Sequence, residues 1–230
     1  MKKHQSLLNL ILIVLFIAIA NRSAAQVTSG PSDATTAPPT AVTDVGKILC
    51  AGQNISIAGP QDVGGVDFTK YHWYKIDPSG NKQEVTAMTG RTYTETTGAP
   101  GYYNYQVVTE NSNGCTSPIS DVFKVFVLPP LTVAITTPTS SMCAIASSET
   151  LLTANVTPSS GYVINYQWTR NGVVIPGATS STYDVTGETS PATVTFGVNV
   201  SYALSPTCPA TGTKDIILTP IPTKPLITAN

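Results

Sequence analysis

Cys50 and Cys115 are 65 positions apart, Cys143 and Cys208 are also 65 apart, and each member of the first pair recurs 93 residues later. The chain is therefore one module written twice. Trp73 and Trp168 fall 23 and 25 residues after the first cysteine of their copies, and each follows a tyrosine two residues earlier, Tyr71 and Tyr166. The copies thus share an inner aromatic landmark as well as their ends.

The N-terminus bears on the compartment. Lys2 and Lys3 precede an apolar run from Leu7 to Ala20, interrupted by Asn9, and the run is followed by Ser23, Ala24 and Ala25. That order is expected of a secretory signal peptide over residues 1–25, cleaved to leave Gln26 first. The apolar run is close to signal-peptide length and short of the ~20 residues that span a bilayer, so no membrane insertion is expected after cleavage.

Export into an oxidising compartment lets disulfides persist. Four cysteines allow three connectivities. Two copies of one fold are expected to close the same internal loop, giving Cys50 with Cys115 and Cys143 with Cys208, each worth roughly 4 kcal/mol in the chain-entropy treatment.

Charged residues make up only 11% of the chain. Thr, Ser, Val, Gly and Pro are abundant, a vocabulary of short strands and tight turns. Without Lys2, Lys3 and Arg22, nine basic residues face 13 acidic ones, a net charge of about −4 that offers no basic patch for nucleic acid. The expected organisation is a flexible Ser/Thr/Pro-rich linker over 26–45, one domain over 46–128, a second over 131–221, and a tail over 222–230. The Pro129-Pro130 junction favours extended geometry and is expected to hold the modules apart within a narrow range of angles.

Alternation of apolar residues predicts strands over Asn54 to Ala58, Tyr71 to Ile76, Arg91 to Glu95, Tyr102 to Thr109 and Val122 to Leu128. In the second module the Tyr166 and Trp168 strand ends at Asn171-Gly172, a pair suited to a tight hairpin. An offset of 93 sets Tyr103, Tyr105 and Val107 on Phe196, Val198 and Val200, and Phe123 and Val125 on Ile216 and Leu218. These alternating sets are expected to be the buried faces.

The Cys-x-Gly start at Cys50 to Gly52, the Tyr-x-Trp strands at Tyr71 to Trp73 and Tyr166 to Trp168, and Asn113 to Ser117 before a Val-rich last strand resemble the immunoglobulin-like and PKD-like modules found in tandem in secreted and surface proteins of Gram-negative bacteria. The resemblance implies an all-β chain of two tandem immunoglobulin-like β-sandwiches. It departs from antibody-type domains, which place a tyrosine two residues before the second cysteine; here Asn113 and Pro206 stand there. The disulfides are accordingly expected to clip one end of each sandwich and not to thread its core.

Catalytic chemistry is thinly supplied. His72 is the one histidine outside residues 1–25, and it alternates with the inward Tyr71 and Trp73. Paired cysteines would provide neither thiol nucleophiles nor thiolate metal ligands. Asp62, Asp67 and Asp77 read as loop carboxylates without counterparts in the second copy. No catalytic residue, metal or cofactor is assigned.

The outward side of the Trp strand differs between the copies: His72, Tyr74 and Ile76 against Gln167, Thr169 and Asn171. With Tyr102, the first set forms a candidate surface for a protein or glycan ligand, unless another segment covers it. The expectation is a non-catalytic, secreted or cell-surface spacer or adhesion protein. The alternative is a carbohydrate-binding accessory region of a secreted hydrolase. Pro222 to Thr228 resembles the Pro-rich approach to each module, and a further copy at the same period would bring a cysteine at about position 236.

Overall fold

The computed structural model describes residues 30–227. The signal-peptide segment 1–25 lies outside the described residues. Seven strands build the first module: β1 (Lys47–Leu49), β2 (Asn54–Ala58), β3 (Lys70–Ile76), β4 (Lys82–Glu84), β5 (Thr92–Thr96), β6 (Gly101–Glu110) and β7 (Phe123–Val127). Eight build the second: β8 (Thr132–Thr136), β9 (Ser141–Cys143), β10 (Glu149–Thr157), β11 (Ile164–Arg170), β12 (Val173–Val174), β13 (Thr182–Thr186), β14 (Thr193–Tyr202) and β15 (Ser205–Thr219). The five strands expected in the first module are present within two residues of their expected ends.

Each module is a two-sheet sandwich. In the first, a five-stranded sheet ordered β1-β7-β6-β3-β4 faces the pair β2-β5; in the second, β12-β11-β14-β15-β9 faces β13-β10-β8. A three-residue strand lies parallel to the last strand in both copies, β1 on β7 and β9 on β15, while the other pairings are antiparallel. This is the layering of immunoglobulin-like sandwiches. Asn171 (φ 49°) and Gly172 (φ 79°) make the left-handed turn between β11 and β12, as the Asn-Gly pair dictates.

The cores repeat the plan residue by residue. Trp73 stacks near Tyr93, which meets Tyr105, with ring centroids 5.5 and 4.9 Å apart; Trp168, Tyr183 and Phe196 form the corresponding series at 5.8 Å each. Each indole N–H donates to a carbonyl, of Gly90 or Ser180, at 2.9 Å. Trp73 is paired with Val107 and Trp168 with Val198, so the structural offset along these strands is 91 and not the cysteine offset of 93. The two-residue difference preserves the face of the sheet, and Tyr103, Tyr105, Val107, Phe196, Val198 and Val200 are all buried. It corrects the expected correspondences: Tyr103, Tyr105 and Val107 match Val194, Phe196 and Val198, and Val125 matches Ile216. Phe123 corresponds to Lys214 and not to Ile216, and it is 42% exposed.

The second sheets differ by one strand. In module 2, β8 adds to the edge of β10; no described strand occupies that place beside β2. Gly59 and Pro60 follow β2 where β10 continues, and proline has no N–H for a ladder. An apolar groove of about 270 Å³ runs along the gap, lined by Ile57, Pro60, Trp73, Tyr105, Val107 and Phe123.

The modules are not held apart. Val45, Phe126, Leu128, Tyr202 and Cys208 form a buried cluster at the junction, flanked by Ile48, Tyr102, Leu131, Tyr162, Ile164 and Leu204. The Tyr202 hydroxyl donates to the Pro129 carbonyl at 3.1 Å, and burial pushes its pKa up to about 12. The two ends meet here because apolar residues on both sides of Pro129-Pro130 give them a common core.

The disulfide pairing also differs from the expectation. Cys50 is bonded to Cys208 across the junction, while Cys115 and Cys143 are exposed free thiols. The reason is where each cysteine sits along the last strand. Leu49, just before Cys50, pairs with Val127, and Met142, just before Cys143, pairs with Leu218, so both first cysteines lie at the module's trailing end. Cys115 precedes the last strand of its module and Cys208 lies in the first residues of β15, both at the leading end. Cys208 is ten residues ahead of Leu218, about 30 Å at the rise of a strand, and a disulfide needs its Cα atoms within about 7 Å. The bond clips sandwich ends, as expected, but it clips two ends to each other.

Candidate functional site

Strand β3 projects His72, Tyr74 and Ile76 to the outer face of the first module, each half-buried, while Tyr71, Trp73 and Lys75 point inward. His72 is clamped: Nδ1 lies 2.8 Å from Glu84 on β4 and Nε2 lies 3.1 Å from Glu110 on β6. Both ring nitrogens therefore face carboxylates, an arrangement that suits the doubly protonated imidazolium. Hydrogen bonds to Glu84 and then Glu110 raise its pKa against a smaller opposing effect of burial. An imidazolium held this way is a clasp across three strands and is poorly placed to act as a base.

Tyr74 pairs across to Glu84 and Gln106, and burial raises the pKa of its phenol. Tyr102 shares this face. Lys75 pairs with Tyr105, so the same register sets Ile76 opposite Asn104, two residues from Tyr102, and the Ser32 hydroxyl bridges the Ile76 carbonyl and the Asn104 N–H. Tyr102 stands at the junction end of the face, where its ring meets Phe126 at 4.7 Å. The four residues read as one surface therefore follow one sheet face from the His72 clasp to the junction.

The segment read as a solvated linker covers part of this face. The N–H groups of Ser32 and Asp33 donate to the Tyr102 carbonyl, the Tyr102 N–H donates to the Asp33 carbonyl, and the Ser32 hydroxyl donates to the carbonyl of Ile76. Ser32 is 5% exposed. Gly101 (φ 133°) makes the approach feasible, because a Cβ there would stand 2.6 Å from the Asp33 carbonyl oxygen. The Asp33 carboxylate accepts from the N–H and hydroxyl groups of Thr35 and Thr36, the Thr36 hydroxyl foremost, and its pKa falls well below the usual range. Asp44 accepts from the N–H groups of Ala41 and Thr40 at 2.9 Å and is lowered likewise. Between this strap and the sheet is a polar cleft of about 400 Å³ lined by Asp33, Asp44, Tyr102, Asn104 and Lys124.

Two inward residues carry a buried ionic network that the reading of the sequence missed. Lys75, 2% exposed, bonds to Glu95 on β5 and lies 5.0 Å above the centroid of the Tyr103 ring. Glu95 also accepts from the hydroxyls of Tyr93 at 2.7 Å and Tyr105 at 2.8 Å. Burial, with Glu95 beside them, pushes both phenols far above their ordinary pKa. Strict alternation already aims Lys75 inward; its partner on a different sheet has no local sequence signal. The structural counterpart of Lys75 is Arg170, which points out to a bidentate pair with Glu188.

The loop carboxylates are engaged by their own turns. Asp62 accepts from the N–H groups of Gly64 and Val66, Asp77 from those of Ser79 and Asn81, and Asp67 from the Gln61 amide. Among the described residues no group of three or more His, Cys, Asp or Glu is arranged to hold a metal ion. No described helix is long and apolar enough to cross a membrane.

No protein-family model matches the chain, and no curated protein matches it. Among solved structures it is similar to the fibronectin(III)-like modules of Clostridium thermocellum CbhA, at 19% identity over 85% of this chain and 99% of that one, with a TM-score of 0.44. It is also similar to the four N-terminal Ig domains of Dscam1 isoform 8.4, at 16% identity over 75% of this chain and 42% of that one, with a TM-score of 0.36. Likenesses of this degree carry no functional argument.

Proposed function

We propose that this chain is a non-catalytic module pair of the cell exterior, secreted or held at the cell surface, where it acts as a stiff spacer or adhesion segment. The observation that carries this reading is the Cys50–Cys208 bond across a buried junction. A disulfide of this kind persists in an oxidising compartment, and together with the apolar seal it makes two sandwiches one rod. Nothing comparable supports catalysis: the histidine is clamped between carboxylates and the loop carboxylates are engaged by their turns. Small-angle scattering of the oxidised chain is expected to give one elongated envelope, unchanged between low and high salt. A distribution of bent forms would sink the spacer reading. Protease shaving of intact producing cells checks the compartment, and a chain found only after lysis would contradict it.

The half-exposed Tyr74 keeps a second reading open, a carbohydrate-binding accessory region. Its partner is then a glycan and not a protein. Saturable binding on a glycan array that Tyr74→Ala abolishes would favour it.

A further inference from the structure

The molecule displays one inter-module bond and carries the two halves of another. Cys50 and Cys143 are the same position of the fold, each following the residue paired to the last buried side chain of the final strand, Val127 or Leu218. Cys115 and Cys208 are also equivalent. Each precedes by one the residue, Thr116 or Pro209, that pairs with Glu110 or Ser201, and these lie three positions beyond the Trp-paired Val107 and Val198. The trailing cysteine of module 1 is bonded to the leading cysteine of module 2. The trailing cysteine of module 2, Cys143, and the leading cysteine of module 1, Cys115, are both exposed and unbonded.

An independent feature points to the same partner. Module 2 is completed by β8, which follows Pro130-Leu131 and packs its apolar residues against the core, Ile135 buried and Leu131 and Val133 partly buried. Module 1 has an open apolar groove in the corresponding place. At the far end of the chain, Pro225-Leu226-Ile227 repeats the proline-apolar start of that strand, with Leu226 88% and Ile227 95% exposed. The tail of one copy thus has the pattern that the groove of the next lacks.

We infer that copies of this chain join head to tail, Cys143 of one copy bonded to Cys115 of the next, with the Leu226-Ile227 tail of the first lying in the groove of the second. The relation between copies is then that between the two modules, and because it joins unlike ends it propagates as a linear filament. The apolar seal is weaker than at the internal junction. Tyr202 and Leu204 are matched at the leading end of module 1 by Asn111 and Asn113, and Phe126 at the trailing end of module 2 by Ile217, 50% exposed. Covalent capture therefore matters more between copies than within one. The step needs a two-electron acceptor, here a small-molecule disulfide such as oxidised glutathione. The Cys143 thiolate attacks it and expels one glutathione thiolate; the Cys115 thiolate then attacks the Cys143 sulfur of the mixed disulfide and expels the second. Two protein thiols are oxidised, one glutathione disulfide is reduced, and the two protons lost by Cys143 and Cys115 are taken up by the two expelled glutathione thiolates to give two thiols. This assembly does not depend on whether the chain binds a ligand.

The test uses the full chain recovered from a secretory compartment and incubated with oxidised glutathione, in three forms: wild type, Cys115→Ser and Cys143→Ser. On non-reducing gels the wild type is expected to form a ladder, each variant alone to remain monomeric, and an equimolar mixture of the two to form a dimer and nothing larger. Dimers of either variant alone at the rate of the mixture would show indiscriminate thiol coupling and overturn the inference; so would a wild type and a mixture that both stay monomeric. Deleting residues 223–230 from the Cys115→Ser partner, which supplies Cys143, is expected to slow mixed-dimer formation by roughly tenfold or more, since docking raises the effective thiol concentration. An unchanged rate would overturn the tail's place in the groove. Unaltered Trp fluorescence in every variant verifies that the modules are folded.

Discussion

Lys75 and Glu95 are the residues at which the core of module 1 departs from an apolar sandwich. The pair is nearly excluded from water and satisfied by two tyrosine hydroxyls, so removing one charge leaves the other unpaired in a poorly solvated site. Glu95→Gln is expected to lower the unfolding free energy by about 3–5 kcal/mol, whereas the double change Lys75→Met with Glu95→Leu is expected to recover most of that loss, as buried pairs replaced together often do. Urea denaturation of the three proteins measures both. His72 makes a gentler prediction with a definite sign. Its folded pKa is raised above the unfolded value of about 6.5, so its stabilising contribution is complete below that value and is lost as pH rises through the higher folded pKa. Between about pH 6 and pH 8 the wild type is expected to lose up to about 1 kcal/mol more stability than His72→Gln. A pH-independent difference between the two proteins would contradict the clasp. Alternation along β3 told which way each of these side chains faces. It did not tell that an inward lysine would find its carboxylate on the opposite sheet, because that contact joins residues 20 apart through tertiary packing alone.

Among the elements, the long strands were legible and the strap over 30–45 was not. Strands β2, β3 and β6 announce themselves through alternating apolar residues whose buried faces the structure reproduces. The strap has few large apolar residues and docks mainly through backbone hydrogen bonds to Tyr102, a mode of attachment that leaves no periodic trace in the sequence. What does betray it is Gly101, whose positive φ and lack of Cβ admit the Asp33 carbonyl. Gly101→Val is therefore expected to release the strap while sparing the sandwich. Amide exchange at Ser32, Asp33 and Tyr102 is expected to accelerate, with the amides of Trp73 and Val107 unchanged. Continued protection at Ser32 in the variant would mean that the strap is held by something other than this contact. The groove beside β2 has a similar cause. Gly59 and Pro60 interrupt the strand just where its counterpart β10 extends, so the missing neighbour follows from two residues whose meaning depends on knowing the other copy's sheet.

For the whole molecule, equal cysteine spacing proved a sound sign of duplication and a poor guide to bonding. Sequence separation carries no record of which end of a sandwich a residue occupies; the strand register does, and it places each module's two cysteines at opposite ends. The Cys50–Cys208 bond closes a loop with a sequence separation of 158 and ties the modules into one unit through a buried junction. In the chain-entropy treatment a loop of that length contributes about 5 kcal/mol, shared by both modules because either one unfolding in the bonded chain must also strain or breach the junction. The two landmark tryptophans let each module report separately, since Trp73→Phe leaves only Trp168 and Trp168→Phe leaves only Trp73. In the bonded protein the two reporters are expected to give one coincident denaturation midpoint. In a Cys50→Ser, Cys208→Ser background both midpoints are expected to fall and to separate, the modules being then coupled by the apolar seal alone. Coincident midpoints without the bond would mean that the seal suffices for cooperativity, and separate midpoints with it would mean that the covalent link joins two bodies that still unfold independently.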